Sequence, residues 1–266
     1  MEKKTGNTVR TLAVEICDLT YKVASKQILD HVSIVADNHE FIGLIGPNGS
    51  GKTSILRHIY KALPIEKNVI FIGGKDQHEI TSKESARQIA VMRQESATDF
   101  EYTVGEMVLM GRAPYRKYYE ADTAEDERAS ISALKCVGMS KSVGQSISTL
   151  SGGEKQRVMI ARAIAQDTDI LILDEPTNHL DLYYQWSIME LIRNLNKTVI
   201  AVFHELNLAC QFCNRIYVLN EGKIVADGSP AEVCTKKMLA EVFQIDADII
   251  ADDIGRPTII CRKAIT

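Results

Sequence analysis

Short apolar runs alternate with amphipathic stretches along the chain. Residues 11–36 hold two strand-like segments, "LAVEICDLTY" and "HVSIVAD", with turn-prone residues between them. "EFIGLIG" has the character of a buried strand and leads through glycine-rich sequence into the helical "KTSILRHIYKAL". "NVIFIGG" is a further strand. Residues 82–140 read as mostly helical, in the segments "KESARQIA", "TVGEMVLMGR" and "TAEDERASISALKCVGM". The last begins near Thr123 and stops at Gly138, where a glycine just past the helix end would terminate it. Another helix opens at residues 150–165. After it come strand "DILILD", a helix over 181–196, strand "TVIAVFH", a helix from Glu205, and strands "RIYVLNEG" and "KIVADG". Residues 246–264 predict a small hairpin turning near Gly255.

This rhythm predicts an α/β fold: a mainly parallel sheet covered on both faces, with an N-terminal antiparallel β segment and an inserted helical block. The expected boundaries are one domain over 9–264. It comprises a core of about 9–93 and 167–245, a helical subdomain of about 95–166 and a C-terminal hairpin of about 246–264. The length of 266 residues, with 45% hydrophobic and 25% charged, is ample for such a core. A net charge of −4 without a basic block lacks the electrostatic footprint of a nucleic-acid binder. The start has no apolar segment followed by a small-residue cleavage site, so a cytosolic protein is expected. Its apolar runs are strand-length, below the ~20 residues of a membrane span. Cys210 and Cys213 form the one C-x-x-C, with no second pair at ligand spacing. They read as reduced, buried helix-packing residues.

"LSGGEKQRVMIARAIA", residues 150–165, begins at a cost. Ser151 followed by Glu154 fits a capping box, and Val158, Ala161 and Ala165 fall on one helical stripe. Yet the first helical positions are Gly152 and Gly153, each up to about 1 kcal/mol worse than alanine. One glycine marks a turn; two suggest that something approaches this backbone more closely than a Cβ allows. A helix start offers unpaired N–H groups and the positive end of the dipole, so the natural visitor is an anion such as phosphate.

A phosphate site is written elsewhere in the chain. "GPNGSGKT", residues 46–53, matches G-x-x-x-x-G-K-[ST] between a predicted strand and a predicted helix. Gly46, Gly49 and Gly51 let the loop curl so that backbone N–H groups meet phosphate oxygens. Lys52 reaches the β- and γ-phosphates, and Thr53 offers its hydroxyl to Mg²⁺. Pro47, Asn48, Ser50 and Ser54 complete the nucleotide-binding stretch. "ILILDEP" ends a strand in two carboxylates, Asp174 to hold Mg²⁺ and Glu175 to take a proton from an attacking water. The bland alternative is a glycine-rich turn and a solvated acid pair.

"GPNGSGKT", "LSGGEKQRV", "LILDEPTNHLD" and "VFHE", in this order from about Leu12 to Arg262, resemble the ATP-binding subunit of an ABC transporter. The resemblance implies a P-loop ATPase that uses ATP and Mg²⁺. Gln94 resembles the glutamine that contacts Mg²⁺ and water, Asp181 the interface aspartate, and His204 the histidine at the γ-phosphate. Tyr21 sits where the family stacks an aromatic ring on adenine. For Tyr21 simple strand packing is the alternative, and for His204 a satisfied core histidine. The resemblance also implies a head-to-tail homodimer, in which Ser151, Gly152 and Gly153 meet the ATP held by the partner's phosphate loop. It implies integral membrane permease subunits, a substrate-binding protein and a place on the inner face of the membrane. No nucleic acid is expected.

"TVGEMVLMGRAPYR" and "GRPTII" resemble the importers of iron–siderophore, haem or cobalamin-type chelates. The competing reading is a soluble ABC ATPase that remodels a nucleic-acid or ribosomal complex. Residues 95–120 hold Tyr102, Tyr115, Tyr118, Tyr119, Arg112, Arg116 and Lys117, a composition suited to permease docking, with a solvated loop as the alternative.

Overall fold

The computed structural model describes residues 12–93, 102–117 and 120–265. In chain order, β1 (Val14–Val23) and β2 (Lys26–Ala36) form an antiparallel pair, followed by β3 (Phe41–Ile45) and α1 (Lys52–Ile59). Then come β4 (Ile70–Ile72), β5 (Lys75–Asp76), α2 (Ser82–Gln88) and β6 (Ile89–Met92). The helical block holds α3 (Val104–Leu109), a 3₁₀ turn (Met110–Tyr115), α4 (Ala124–Cys136) and α5 (Gly152–Ala165). The chain returns through β7 (Ile170–Asp174), α6 (Leu182–Asn194), β8 (Thr198–Val202), α7 (Leu206–Phe212), β9 (Arg215–Asn220) and β10 (Lys223–Gly228). It closes with α8 (Pro230–Val233), α9 (Lys236–Phe243), β11 (Ile245–Ala251) and β12 (Pro257–Ala264).

The central sheet runs in the order β10-β9-β3-β8-β7-β6, parallel throughout except for β10 against β9. An antiparallel sheet, β2-β1-β4-β5, forms a second layer. β3, β7 and β8 are buried along their whole length, as strands covered on both faces must be. Alternation assigns their residues to two cores. Ile170 and Ile172 of β7 join Ile42, Leu44, Ile55, Leu56 and the inward residues of β1 and β2. Leu171 and Leu173 join Val104, Leu134, Val158 and Ile160 of the helical block.

This topology positions the site. β3, β8 and β7 are parallel neighbours, so their carboxyl ends share one edge. The loop before α1, the Asp174–Glu175 pair and His204 all leave that edge. In open α/β sheets that edge is where ligands bind.

Two segments depart from the sequence reading. Ile89–Met92, which falls within the stretch 82–140 read as mostly helical, is instead the edge strand β6. It pairs parallel with β7 from Ile89↔Ile170 to Met92↔Leu173. Four apolar residues are too few for a helix, and docking on β7 satisfies their backbone. α8 and α9 were absent from the reading, although Ser229, Pro230 and Glu232 form a capping box with proline in the first turn. The expected hairpin is β11–β12, with Gly255 at φ 81° in its turn. Among the described residues, no helix is long and apolar enough to cross a membrane.

Candidate functional site

The loop between β3 and α1 needs glycine at both ends. Gly46 has φ 149°, and a Cβ there would lie 2.1 Å from the Leu219 carbonyl oxygen. Gly51 has φ 107°, and its Cβ would lie 2.6 Å from Leu29 Cδ2. Gly51 caps α1 without a side-chain hydrogen bond, and the first turn of α1 carries no acidic residue. That leaves an electropositive helix start. The adjoining cleft, about 330 Å³, is lined by Asn48, Gly49, Gly51, Lys52, Thr53 and Ser54, with Glu175 and His204 opposite.

Lys52 is buried, and its Nζ donates to the carbonyl oxygens of Gly46 at 2.8 Å and Pro47 at 2.9 Å. Burial lowers its pKa, while the nearby carboxylates of Glu175 and Asp174 oppose that shift. Thr53 Oγ1 donates to Asp174 Oδ1 at 3.2 Å. Asp174 is buried too, and burial pushes its carboxyl above the usual range against the Thr53 hydrogen bond. The buried cation and the hydroxyl thus line one cleft, and the buried acid sits against that hydroxyl. The adjacent hydroxyl and carboxylate form a hard-oxygen donor set that suits Mg²⁺.

Glu175 follows at φ 56°, an unusual value for a non-glycine residue. Its Oε1 pairs with His204 Nε2, and its Oε2 accepts from Asn178 Nδ2. Gln156 of α5 donates to the carbonyls of Glu175 and Pro176. Sequence reasoning missed Asn178 and Gln156. Asn178 lies inside "TNHLD", but nothing in its local chemistry marks it. Lys26 and Ile28 of β2, also unforeseen, line the same cleft. Tyr21 packs edge-on against His58, with ring centroids 4.7 Å apart, and the cleft-lining residues from that layer are Lys26 and Ile28. Gln94 lies outside the described residues.

The opening of α5 forms a separate cleft. Ser151 caps the helix as expected: its N–H donates to Glu154 Oε2 at 2.9 Å, and its Oγ accepts from Glu154 N at 3.3 Å. Ser151, Gly152, Gly153, His179 and Asp181 line this cleft. Both glycines are helical, so left-handed backbone does not explain them. A Cβ on Gly152 would meet only the His179 side chain, at an ordinary 3.5 Å from its Cβ and 3.9 Å from its Cγ. On Gly153 it would press on the His179 carbonyl oxygen at 3.3 Å, which explains one glycine from within the chain. Asp181 also caps α6, accepting from Tyr184 N at 3.0 Å.

Several side chains in the region assigned to docking are used inside the chain. Arg112 is buried against Asp126 at 2.9 Å and stacks on Tyr115 at 4.3 Å. Arg116 pairs with Asp122, and Tyr102 packs on the core. Cys210 and Cys213 are buried free thiols, and Cys210 Sγ touches Cys234 Sγ at 3.2 Å. Among the described residues, no group of His, Cys, Asp and Glu could hold a metal as a cluster of three or more.

The sequence pattern of the ABC transporter family matches residues 29–178. The ferric enterobactin transport ATP-binding protein of Escherichia coli (strain K12) is 34% identical over 91% of each chain. The iron(3+)-hydroxamate import ATP-binding protein of Bacillus subtilis (strain 168) is 35% identical over 92% of this chain and 91% of its own. In fold, an inward-facing metal-chelate type ABC transporter superposes with a TM-score of 0.81 at 22% identity, over 95% of this chain and 98% of its own. The phosphate loop, the paired acids at the end of β7 and the glycine-opened α5 are therefore features of a chain that belongs to the ABC transporter family, as an ATP-binding, ATP-hydrolysing subunit.

Proposed function

We propose that this chain powers the import of a metal chelate, of the iron–siderophore, haem or cobalamin type, through a separate membrane permease. The observation that carries the mechanism is that one chain opens two helix starts, those of α1 and α5, onto two different clefts. One nucleotide needs only one of them. Two copies placed head to tail use both, each α5 start closing over the ATP held by the other copy's phosphate loop.

Within each site, Lys52 neutralises the β- and γ-phosphates and the uncapped start of α1 donates N–H groups to them. Thr53 and Asp174 would hold Mg²⁺, with Gln94 as a further contact, and the bound metal would supply charge neutralisation at the phosphate oxygens. Glu175 takes the proton of the attacking water. Its two oxygens already accept from His204 and Asn178, which aim the carboxylate. Tyr21 serves the adenine and Asp181 the interface. The helical subdomain, about 95–166, meets the permease, which holds the chain on the inner face of the membrane. A substrate-binding protein delivers the chelate to the complex.

Solubilising membranes in detergent and isolating the tagged chain tests this reading. A permease should accompany it, and vesicles rebuilt from both should take up a ferric chelate with ATP hydrolysis. Recovery of a nucleic-acid or ribosomal complex in place of a permease would overturn the importer assignment.

A further inference from the structure

We infer that Gln156 is a positioning residue for Glu175, joining the opening of α5 to the carboxylate that takes the water's proton. The inference rests on the hydrolytic reading above. Gln156 lies about one turn beyond Gly152 and Gly153. Its Nε2 donates to two main-chain carbonyls, Glu175 O at 3.1 Å and Pro176 O at 3.0 Å. A primary amide has two N–H donors, so both are committed to this one loop.

That loop has to be held. Glu175 sits at φ 56°, which a residue with a Cβ keeps only where its surroundings over-determine it. Asn178 N–H donates to the same Glu175 carbonyl at 3.3 Å, while the Asn178 and His204 side chains hold the carboxylate oxygens. Gln156 brings the helical block into this set. In a head-to-tail pair, α5 starts at the nucleotide bound by the partner and grips the backbone of the carboxylate that serves its own. A helix is a rigid lever, so occupation of one site bears on the aim of the base in the other.

The test compares Gln156→Ala and Gln156→Lys with the wild-type chain, Lys52→Ala and Glu175→Gln. Gln156→Ala should lower kcat by about tenfold or more, the scale of a misaimed catalytic group. Its affinity for a fluorescent trinitrophenyl-ATP should stay at the wild-type level. Gln156→Lys keeps N–H donors and should recover part of the rate. In single turnovers, adding Gln156→Ala to Glu175→Gln should cost nothing further, because both act through one carboxylate. Wild-type turnover in Gln156→Ala, a matching loss of nucleotide affinity, or full additivity with Glu175→Gln would each refute the inference. If Gln156→Ala melts below the assay temperature, Gln156→Met, which keeps the length of the side chain and removes its N–H donors, carries the same comparison. Turnover that is indifferent to Lys52 would refute the hydrolytic reading itself. Lys52-dependent turnover that is indifferent to Gln156 would refute only this inference.

Discussion

Lys52 and Asp174 are buried charges whose ordinary ionisation folding opposes. Both lie under 10% exposed, and burial shifts both toward neutrality. Such residues serve a ligand at the expense of the empty protein's stability. Removing the Lys52 amine by Lys52→Ala should cut ATP hydrolysis by about two to three orders of magnitude and weaken nucleotide binding, because donors aimed at developing charge are lost. A phosphate-release assay and a nucleotide titration measure both. Asp174 gives a stability prediction with a defined sign. Its folded pKa lies above 3.8, so its contribution is complete below pH 3.8 and is lost as pH rises through the folded value. At neutral pH the ionised carboxylate is therefore a liability. Asp174→Asn should raise the melting temperature of the nucleotide-free protein by a few degrees while abolishing hydrolysis. The stabilisation should shrink as the pH is lowered toward 4 in a series of thermal melts.

At the scale of the element, α5 separates folding from function. Its capping box and buried stripe hold it in place, and neither glycine is required by its backbone conformation. Gly152→Ala adds a methyl that meets only His179 at ordinary contact distance. It should therefore be tolerated, or stabilise by up to about 1 kcal/mol through helix propensity. Hydrolysis should nonetheless fall, because the methyl occupies the approach to the partner's phosphate. Paired denaturant melts and ATPase assays decide the matter: unchanged turnover would mean that no ligand comes close to this backbone. Tyr115 shows the converse. Its ring lies over Arg112, and its hydroxyl donates to the Asp167 carbonyl at 3.3 Å, so it braces the helical block from within.

At the scale of the whole molecule, the proposed head-to-tail pair makes one device of the two clefts. Glu175→Gln preserves the shape of the base and removes its ability to accept a proton. With ATP and Mg²⁺ this variant should accumulate as a closed dimer, visible by light scattering; a monomer at all concentrations would count against shared sites. Mixing supplies the complementary test. Gly153→Asp places a negative charge at the start of α5, while Lys52→Ala disables the phosphate loop. Each variant alone should be inactive. A mixed pair has one composite site carrying both defects and one carrying neither, so some turnover should return after subunit exchange. Exchange without recovery would mean that α5 does not act across the interface, or that both sites must be intact together.

The phosphate loop, the acid pair at the end of β7, the Ser151 capping box and the Gly255 turn were legible because each is written in a few consecutive residues. Backbone geometry, hydrogen-bond reach and strand periodicity act over that same short range, so local sequence determines them. What the sequence left open spans distance. Thr53 meets Asp174 across 121 positions only because β8 sits between β3 and β7. Ile89–Met92 is a strand because β7 offers it an edge, although it follows directly on a helical run in the sequence. The Arg112–Tyr115 pair looked like exposed docking chemistry until Asp126 and Asp167 were folded against it. Gln156 is an ordinary helical glutamine in the sequence, and only tertiary packing puts two carbonyls under its amide. Residue chemistry marked which groups suit phosphate, while strand order and helix docking, set by burial on the two faces of the sheet, decided which groups contact them.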